Sequence, residues 1–270
     1  MTVRLQQTDT RKRRLRQISR TKKLRVDPSV MTPDVVDSRM DICHRLTSSP
    51  IPQNELIRNL GLYLLPMELK RFLFFADLYQ QFLSVPGVIM EFGCRWGQNL
   101  ATLQSLRCIL EPYHHRRKII GFDTFHGFPD VAAEDGTADA VSVGAYQVTE
   151  NYSEYLSQLM ALRETQAPLP EVQKFEIVSG DVCQTLPQYL QHHPETIVAF
   201  AYFDLDLYRP TTECLNALKG RLTKGSIVGF DELNHQNFPG ETLAVKEALG
   251  LENVQLRRST FSADECYFIV

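Results

Sequence analysis

The sequence lacks an uninterrupted apolar run of the roughly 18 residues that a membrane-spanning helix requires. Its apolar stretches carry charge, as in FLFFADLY from Phe72 to Tyr79. It also lacks a CxxC pair, and its six cysteines are scattered along the chain without the spacing of a zinc site. We therefore expect a soluble, cytoplasmic protein with reduced thiols, no membrane partner and histidine pairs (His114/His115, His192/His193) that are solvated.

Acidic residues are nearly absent from the first 25 positions, which hold ten of the 29 Lys and Arg but only Asp9 among the 32 Asp and Glu. The remaining chain is acidic, with 19 basic and 31 acidic residues. A basic arm can meet nucleic acid, an anionic membrane or an import receptor, and a disordered or oligomer-tethering tail is the simpler explanation. We expect an arm over 1–26, a wrapping segment with helices over 27–84 and the main domain over 85–270.

Short apolar runs alternate with helical stretches from Gly87 onward, which is typical of an α/β domain with a parallel sheet. VIMEF, KIIGF, KFEIV, TIVAFAYF and SIVGF predict five strands, and VQLRRS and ECYFIV predict a terminal antiparallel hairpin. Before the sheet, the pattern predicts a short helix near Val35 to Leu46. It also predicts two amphipathic helices between Asn54 and Leu83, separated at Pro66. The predicted helices between and after the strands are Asn99 to Leu110, Glu154 to Arg163, Thr185 to His192, Thr211 to Leu222 and Glu241 to Leu249.

The first strand leads into EFGCRWGQN, with Gly93 and Gly97 at a strand-to-helix turn. Glycines there let the backbone approach a ligand, and the helix N-terminus offers free N–H groups. The spacing is not the GxGxxG of dinucleotide-binding folds, which counts against a nicotinamide-dependent dehydrogenase. Glu91 before the turn suits a cationic ligand. A packing turn with a solvated Glu91 is the alternative.

Acidic residues also follow the second and third strands. Asp123 ends the second strand and suits ribose hydroxyls, while Asp181 follows the third. Because the carboxyl ends of parallel strands meet at one edge of a sheet, Glu91, Asp123 and Asp181 should line the same crevice. Asp181 could instead simply cap the next helix.

The fourth and fifth strands end in a denser group of carboxylates. Asp204 and Asp206 lie two residues apart, so an extended backbone would point both to one face. Asp231 and Glu232 follow the fifth strand. Four carboxylates this close would repel one another without a cation, and an all-oxygen ligand set favours a hard divalent ion. The alternative has Asp204 paired with Arg209, Asp231 capping a loop and Glu232 solvated.

These motifs resemble those of known enzymes. The order of the acid-led glycine turn, the acid after strand two, GDV after strand three and the terminal hairpin resembles class I S-adenosylmethionine-dependent methyltransferases. DTFHGFP, DLDLYRPT and FDE resemble the macrocin O-methyltransferase, or TylF-like, family, which methylates sugar hydroxyls on antibiotics and nucleotide-linked deoxysugars. The resemblance covers roughly residues 65–270. It implies a Rossmann-like, seven-stranded, mostly parallel sheet.

The resemblance also implies site residues. Mg²⁺ or a similar ion would be held by Asp204, Asp231 and Glu232, with Asp206 as the general base. His235 is a second candidate base, or a surface histidine. The family has Asp-Asp where this chain has Asp231-Glu232, and VWRG where it has CRWG. S-adenosylmethionine would be bound by Glu91, Gly93, Gly97, Asn99, Asp123, Thr124, Phe125, Asp181 and Val182.

The expected partner is a small sugar acceptor, and the expected reaction is methylation of a deoxysugar hydroxyl in secondary-metabolite biosynthesis. The resemblance also implies a homo-oligomer, a dimer or larger. Methylation or binding of nucleic acid through the basic arm is the alternative. The acidic main domain lacks a basic face interleaved with aromatics, which weakens that alternative.

Overall fold

The computed structural model describes residues 33–270, which fall into two compact units that divide after Leu64. The first unit contains helix α1 (Pro33–Thr47), which confirms the short helix expected near Val35 to Leu46, and helix α2 (Gln53–Leu56). A 3₁₀ helix (Ile57–Leu62) follows α2, so the longer amphipathic helix predicted before Pro66 was wrong. Gly61 weakens an α-helix there, and Pro66 prevents its continuation. The basic arm lies outside the described residues.

The second unit is built on a seven-stranded sheet in the order β3-β2-β1-β4-β5-β7-β6. The strands are β1 (Val88–Phe92), β2 (Ile119–Asp123), β3 (Phe175–Ser179), β4 (Val198–Phe203), β5 (Leu222–Phe230), β6 (Arg257–Arg258) and β7 (Cys266–Ile269). The first five strands are parallel, and β7 pairs antiparallel with both β5 and β6. This topology confirms the predicted mostly parallel sheet with a terminal antiparallel hairpin.

Six α-helices of the second unit cover the sheet: α3 (Pro66–Phe82), α4 (Gln98–Leu110), α5 (Tyr152–Glu164), α6 (Val182–His192), α7 (Tyr208–Leu218) and α8 (Pro239–Leu249). Helices α6 and α7 each begin three residues earlier than predicted. Asp181 caps α6 just before Val182, and Pro210 sits in the first turn of α7, where a missing N–H costs nothing. Two short 3₁₀ helices complete the unit (Ala133–Asp135, Leu251–Asn253).

Each face of the sheet packs against its own layer of helices. On β1, Ile89 packs in the core with α3, α4 and α5, whereas Met90 packs in the core with α6, α7 and α8. Because strand residues alternate between faces, Glu91 belongs to the α3 face together with Tyr202, its register partner on β4. Helix α3 therefore covers the face that carries the first candidate site residue.

The strands are in register at their carboxyl ends. Phe92 of β1 pairs with Phe122 of β2 and Phe203 of β4, and Phe203 pairs with Phe230 of β5. The residues that follow, Gly93, Asp123, Asp204 and Asp231, therefore emerge at one edge. The expected convergence of acidic residues from different strands is a feature of the fold.

Candidate active site

The glycine turn brings the start of α4 against this edge. Gly93 has a φ of +90°, and a Cβ built on it would lie 1.9 Å from the carbonyl oxygen of Asp204. Its amide donates to the carbonyl oxygen of Phe122 at 2.9 Å. Gly97 also has a left-handed conformation, at the N-cap of α4. Only glycine at position 93 allows β1 and the segment after β4 to approach this closely.

Glu91 is a buried carboxyl facing the turn. Its side chain is fully buried, and Asn99 Nδ2 in the first turn of α4 donates to Glu91 Oε1 at 2.8 Å. The other oxygen, Oε2, is buried without a hydrogen-bond partner in the part of the chain that the structure describes. Burial raises the pKa of Glu91 to about 8. A cationic ligand group beside Oε2 would favour the ionised form and lower this pKa.

Asp123 links the turn after β2 to the glycine turn. Its Oδ2 accepts from the Arg95 amide at 2.7 Å, and its Oδ1 accepts from the Phe125 amide at 2.5 Å. Burial raises the pKa of this carboxyl. A carboxylate has about four acceptor positions, so Asp123 can accept further hydrogen bonds from a ligand.

The two residues after Asp123 are engaged locally. The Thr124 hydroxyl donates to the Gly127 carbonyl oxygen at 2.7 Å. Phe125 is buried in the apolar core on the α3 face. Of the three residues predicted here, Asp123 is thus the one whose side-chain chemistry best suits ribose hydroxyls.

Asp181 performs the capping role that the sequence left open, because its Oδ1 accepts from the Cys183 amide at 2.9 Å. It also lines a cavity of about 200 Å³ together with Cys183, Leu207 and residues 129–132. Val182 is buried in the core on the opposite face. The capping contact leaves Asp181 at a cavity wall, where it can meet a ligand.

Arg71 of α3 reaches the carboxylates that follow β4 and β5. Its Nη1 lies 3.4 Å from Asp204 Oδ2, its Nη2 contacts Asp231 Oδ1, and its Nε lies 3.8 Å from Glu265 Oε1. Burial opposes the charge on Arg71, but the surrounding negative groups outweigh it and raise the pKa of the guanidinium. Arg71 is therefore the cation that neutralises this end of the edge.

Asp231 is held by a second donor as well. The Tyr202 hydroxyl donates to Asp231 Oδ1 at 2.7 Å. The alternative pairing of Asp204 with Arg209 was wrong, because Arg209 Nε instead donates to Glu213 Oε1 at 3.0 Å on the exposed surface of α7. An exposed i,i+4 pair satisfies Arg209 without bending it back to the sheet edge.

Glu232 lies beside the Arg71 cluster and against α8. Its amide donates to Glu241 Oε2 at 3.3 Å, and its own Oε2 is 3.8 Å from His235 Nδ1. Burial raises the pKa of both Glu232 and Glu241. Within residues 33–270, Glu232 Oε2 is buried without a hydrogen bond. Because ionisation is costly for a buried carboxyl, an added cation would stabilise Glu232 as a carboxylate.

Asp206 is not on an extended backbone, so the alternation argument from Asp204 was wrong in its premise. Strand β4 ends at Phe203, and Asp206 has a φ of +62°. Helix α8 packs closely here: a Cβ on Gly240 would lie 2.9 Å from the Asp206 carbonyl oxygen. The Asp206 side chain is 9% exposed. The pKa of Glu241 is raised mainly by burial and, to a smaller extent, by the negative charge of Asp206. The turn therefore places Asp206 near Glu241.

The donor set at this edge fits a hard divalent ion in its chemistry, because Asp204, Asp231 and Glu232 offer only carboxylate oxygens. As arranged, no three His, Cys, Asp or Glu side chains among the described residues already form a metal-binding group. The Arg71 guanidinium occupies the space between Asp204 and Asp231 that such an ion would need. A metal ion at this position would therefore require Arg71 to move.

Sequence reasoning missed Arg71, although the chain carries a signal for it. Arg71 precedes Phe74, Phe75 and Leu78 by three, four and seven residues, and these three side chains belong to the buried stripe of α3. A basic residue on an apolar stripe needs a buried acidic partner. Glu241 and Glu265, both nearly fully buried, were missed as well.

Comparison with known proteins shows that the chain is similar to methyltransferases. No protein-family model and no curated protein sequence matches the chain. The chain is similar to the crystal structure of CalS11, a calicheamicin methyltransferase, with 42% identity over 88% of this chain and 93% of that chain and a TM-score of 0.87. It is 39% identical to apo CalS11, a TDP-rhamnose 3'-O-methyltransferase in calicheamicin biosynthesis (88% and 95% covered, TM-score 0.79).

A third solved structure shares the fold. The O-methyltransferase NovP is 20% identical over 74% of this chain and 79% of its own, with a TM-score of 0.56. At that identity the likeness concerns architecture alone. Separately, none of the helices within residues 33–270 has the length and apolar character to cross a bilayer.

Proposed function

This chain belongs to the TylF-like family of class I S-adenosylmethionine-dependent sugar O-methyltransferases, and from that premise we propose that it methylates a hydroxyl group of a deoxysugar. That it is an S-adenosylmethionine-dependent O-methyltransferase follows from the family. The sugar acceptor is the proposal. The observation that supports it best is the 42% identity, over nearly the whole of both chains, to CalS11.

We propose a deoxysugar linked to a nucleotide, or the same sugar on a glycosylated natural product, as the acceptor class. CalS11 is described as acting on TDP-rhamnose in antibiotic biosynthesis. The carboxylates at the sheet edge suit a polyhydroxylated acceptor, because each can accept hydrogen bonds from sugar hydroxyls. A homo-oligomeric assembly and a cytoplasmic location stay predictions.

The proposed cofactor site lies where β1, β2 and β3 end. Glu91, held by Asn99, would meet the cationic part of S-adenosylmethionine through its unpartnered oxygen. Gly93 and Gly97 keep the backbone free of side chains there. Asp123 would accept hydrogen bonds from the ribose hydroxyls, while Thr124 and Phe125 form the turn that follows it. Asp181 and the adjoining backbone at Val182 would bound the far end of the ligand.

We further propose that Mg²⁺ or a similar ion is held by Asp204, Asp231 and Glu232. When bound, such an ion supplies Lewis-acid chemistry that makes an acceptor hydroxyl more acidic. Asp206 would remove the hydroxyl proton onto a carboxylate oxygen, and His235 is the second candidate for that step. Burial of Asp206 to 9% exposure supports this assignment, because a secluded carboxylate exchanges its proton with the acceptor in preference to bulk water.

The remaining task of the chain is positioning. The methyl group of S-adenosylmethionine is already activated, so alignment of the acceptor oxygen with the methyl carbon supplies much of the rate. Residues 129–151 form a long segment beside the site, and Asp135 within it accepts from the Tyr208 amide at 2.6 Å. This anchor would hold the segment over the acceptor and exclude water.

A panel of acceptors tests the proposal. The protein is incubated with S-adenosylmethionine and with nucleotide-linked deoxysugars or glycosides, each with and without a chelator, and products are analysed by mass spectrometry. We expect a methylated sugar that disappears with chelator and returns with added Mg²⁺. Full activity in chelator would remove the metal from the mechanism, and failure to methylate any sugar would contradict the acceptor class.

A further inference from the structure

Arg71 is held at the sheet edge by the packing of α3. One turn further along the helix, Phe74 and Phe75 pack against Tyr202, with the Phe75 and Tyr202 ring centroids 4.9 Å apart. Tyr202 lies on β4, two residues before Asp204, which follows the end of that strand. The aromatic contacts therefore fix the position of α3 along the sheet, and that position determines which carboxylates the Arg71 side chain can contact.

The guanidinium contacts the two carboxylates that come from different strands. Nη1 faces Asp204 and Nη2 faces Asp231, while Nε faces Glu265 from the terminal hairpin. Glu265 is 2% exposed, and its Oε2 has no hydrogen bond within the described chain. Lys70 Nζ also lies 4.0 Å from Glu265 Oε2, so Arg71 is the basic residue recorded in contact with both Asp204 and Asp231.

Two of these carboxylates are ligands in the function proposed above, and the inference rests on that function. We infer that Arg71 is the resident counter-ion of this acidic cluster, and that a divalent cation binds here only by displacing the guanidinium from Asp204 and Asp231. The cation and the guanidinium need the same two carboxylates. Two positive groups in contact with the same oxygens would repel each other, so the two states exclude one another.

The surroundings allow such an exchange. Arg71 and Asp204 side chains are each 24% exposed, so the guanidinium borders solvent and can swing outward. Arg71 cannot leave as a neutral group, because an arginine keeps its proton at every accessible pH. The exchange is therefore a movement of the side chain, and its cost lowers the affinity for the metal ion.

The direct test is Mn²⁺ binding by the full chain, measured by electron paramagnetic resonance, with calorimetry for Mg²⁺. Removing the competitor in Arg71→Met should tighten Mn²⁺ binding by roughly tenfold to a hundredfold, the range of hydrogen bonds to charged groups. Arg71→Lys keeps the positive charge but lacks the planar guanidinium that can bridge two carboxylates. The Mn²⁺ affinity of Arg71→Lys should therefore lie between those of the wild type and Arg71→Met.

Lys70→Met is the matched control. Lys70 is adjacent on the same helix and carries the same charge. Its amine contacts Asp264 Oδ2 at 3.4 Å, the Ser262 hydroxyl at 3.0 Å and Glu265 Oε2 at 4.0 Å, and its recorded contacts do not include the proposed ligands Asp204 and Asp231. Its loss should change Mn²⁺ affinity by no more than about twofold, as for a surface pair. Equal tightening in both variants would trace the effect to net charge and overturn the inference.

The remaining outcomes separate the inference from the proposed function. Unchanged or weaker Mn²⁺ binding by Arg71→Met, with metal-dependent sugar methylation intact in the wild type, would overturn the inference alone. No Mn²⁺ binding by any variant would overturn both the inference and the proposed metal site. If Arg71→Met does not fold, two other measurements test the inference: Mn²⁺ binding by Arg71→Lys, and the nuclear magnetic resonance signal of the Arg71 Nε–H group in the wild type. Saturating Mg²⁺ should shift that signal, and an unshifted signal would refute displacement of the guanidinium.

Discussion

The carboxyl groups at the sheet edge differ in their immediate surroundings, and these differences suit different roles. Glu91 is fully buried and keeps one oxygen without a partner. Asp204 and Asp231 are paired with Arg71. Asp206 sits in a left-handed turn beside α8. We interpret these as a cofactor contact, a cation site and a proton acceptor.

Replacing Asp206 with Asn should abolish turnover while leaving the binding of S-adenosylmethionine intact. Asn has the same shape but cannot take a proton, and loss of a general base lowers kcat by about 10²–10⁴-fold. Calorimetric titration of the cofactor and product formation under saturating acceptor measure the two effects.

Asp37→Asn is the matched control for that change, because Asp37 is an exposed carboxylate of α1, in the unit that does not carry the candidate site. It should retain wild-type turnover. Unchanged turnover in Asp206→Asn would transfer the base to His235.

The raised pKa of Glu91 predicts a pH-dependent stability. In the cofactor-free protein, Glu91 keeps its proton up to pH 8 or so, whereas the unfolded chain loses it near the ordinary value of 4.5. The folded state thus binds more protons between these values, so the contribution to unfolding free energy is fully present below the lower pKa and lost as pH rises through the upper one. Between the two pKa values, the free energy of unfolding should fall by about 1.4 kcal/mol per pH unit as the pH rises.

Glu91→Gln should remove this slope while keeping the hydrogen bond from Asn99. Urea unfolding across a pH series measures it, and Glu134→Gln, at an exposed position of the short 3₁₀ helix Ala133–Asp135, serves as the control. Parallel pH profiles for wild type and Glu91→Gln would show that Glu91 is ionised in the folded protein.

At the scale of elements, the site depends on how the ends of β1 and β4 approach each other. Asp204 still donates its amide to the Phe92 carbonyl oxygen at 2.8 Å, although β4 ends one residue earlier. Gly93 turns away immediately beyond that bond. The close pairing brings the start of α4 and the Asp204 side chain to the same place.

Gly93→Ala should therefore destabilise the fold by about 2 kcal/mol or more, because it adds a clash to a strained backbone angle. Chemical denaturation measures the loss, and cofactor binding should weaken with it. Gly220→Ala is the control, since no atom lies within 4 Å of its added Cβ and its φ is not in the left-handed range. Equal stability of the two variants would contradict the proposed packing.

Elements with a regular pattern could be predicted from the sequence, because a buried strand or an amphipathic helix repeats its apolar residues. The strands were predicted in this way, and so were the carboxyl ends of β1, β2 and β3 and the acidic residues that meet there. The backbone turn at Asp206 could not, because it depends on contact with α8, which is distant in sequence. Arg71 was missed because its partners Asp204, Asp231 and Glu265, which follow β4 and β5 or lie in the terminal hairpin, are distant from it in sequence.

At the scale of the whole molecule, the charge is divided between the basic first 25 residues and an acidic remainder. The candidate site lies entirely in the unit that begins at Leu65. A small sugar acceptor requires no long basic surface, unlike nucleic acid, whose affinity comes largely from phosphate contacts.

Deleting residues 1–25 should therefore leave kcat and KM for a small sugar acceptor within about twofold of the full chain, because no proposed site residue is removed. Steady-state kinetics on both proteins measure this. A variant with Lys and Arg of the arm changed to Gln controls for altered solubility. Loss of sugar methylation together with salt-sensitive methylation of RNA by the full chain would favour the nucleic-acid alternative.

The most direct measurement follows an isotopically labelled methyl group from S-adenosylmethionine into its acceptor. We predict that the wild-type protein places the label on a hydroxyl oxygen of a nucleotide-linked deoxysugar, as located by nuclear magnetic resonance, and that Asp206→Asn does not. Recovery of the label on any other class of acceptor, with the sugar unmodified, would contradict the assignment of this chain as a sugar O-methyltransferase acting at the carboxyl edge of its sheet.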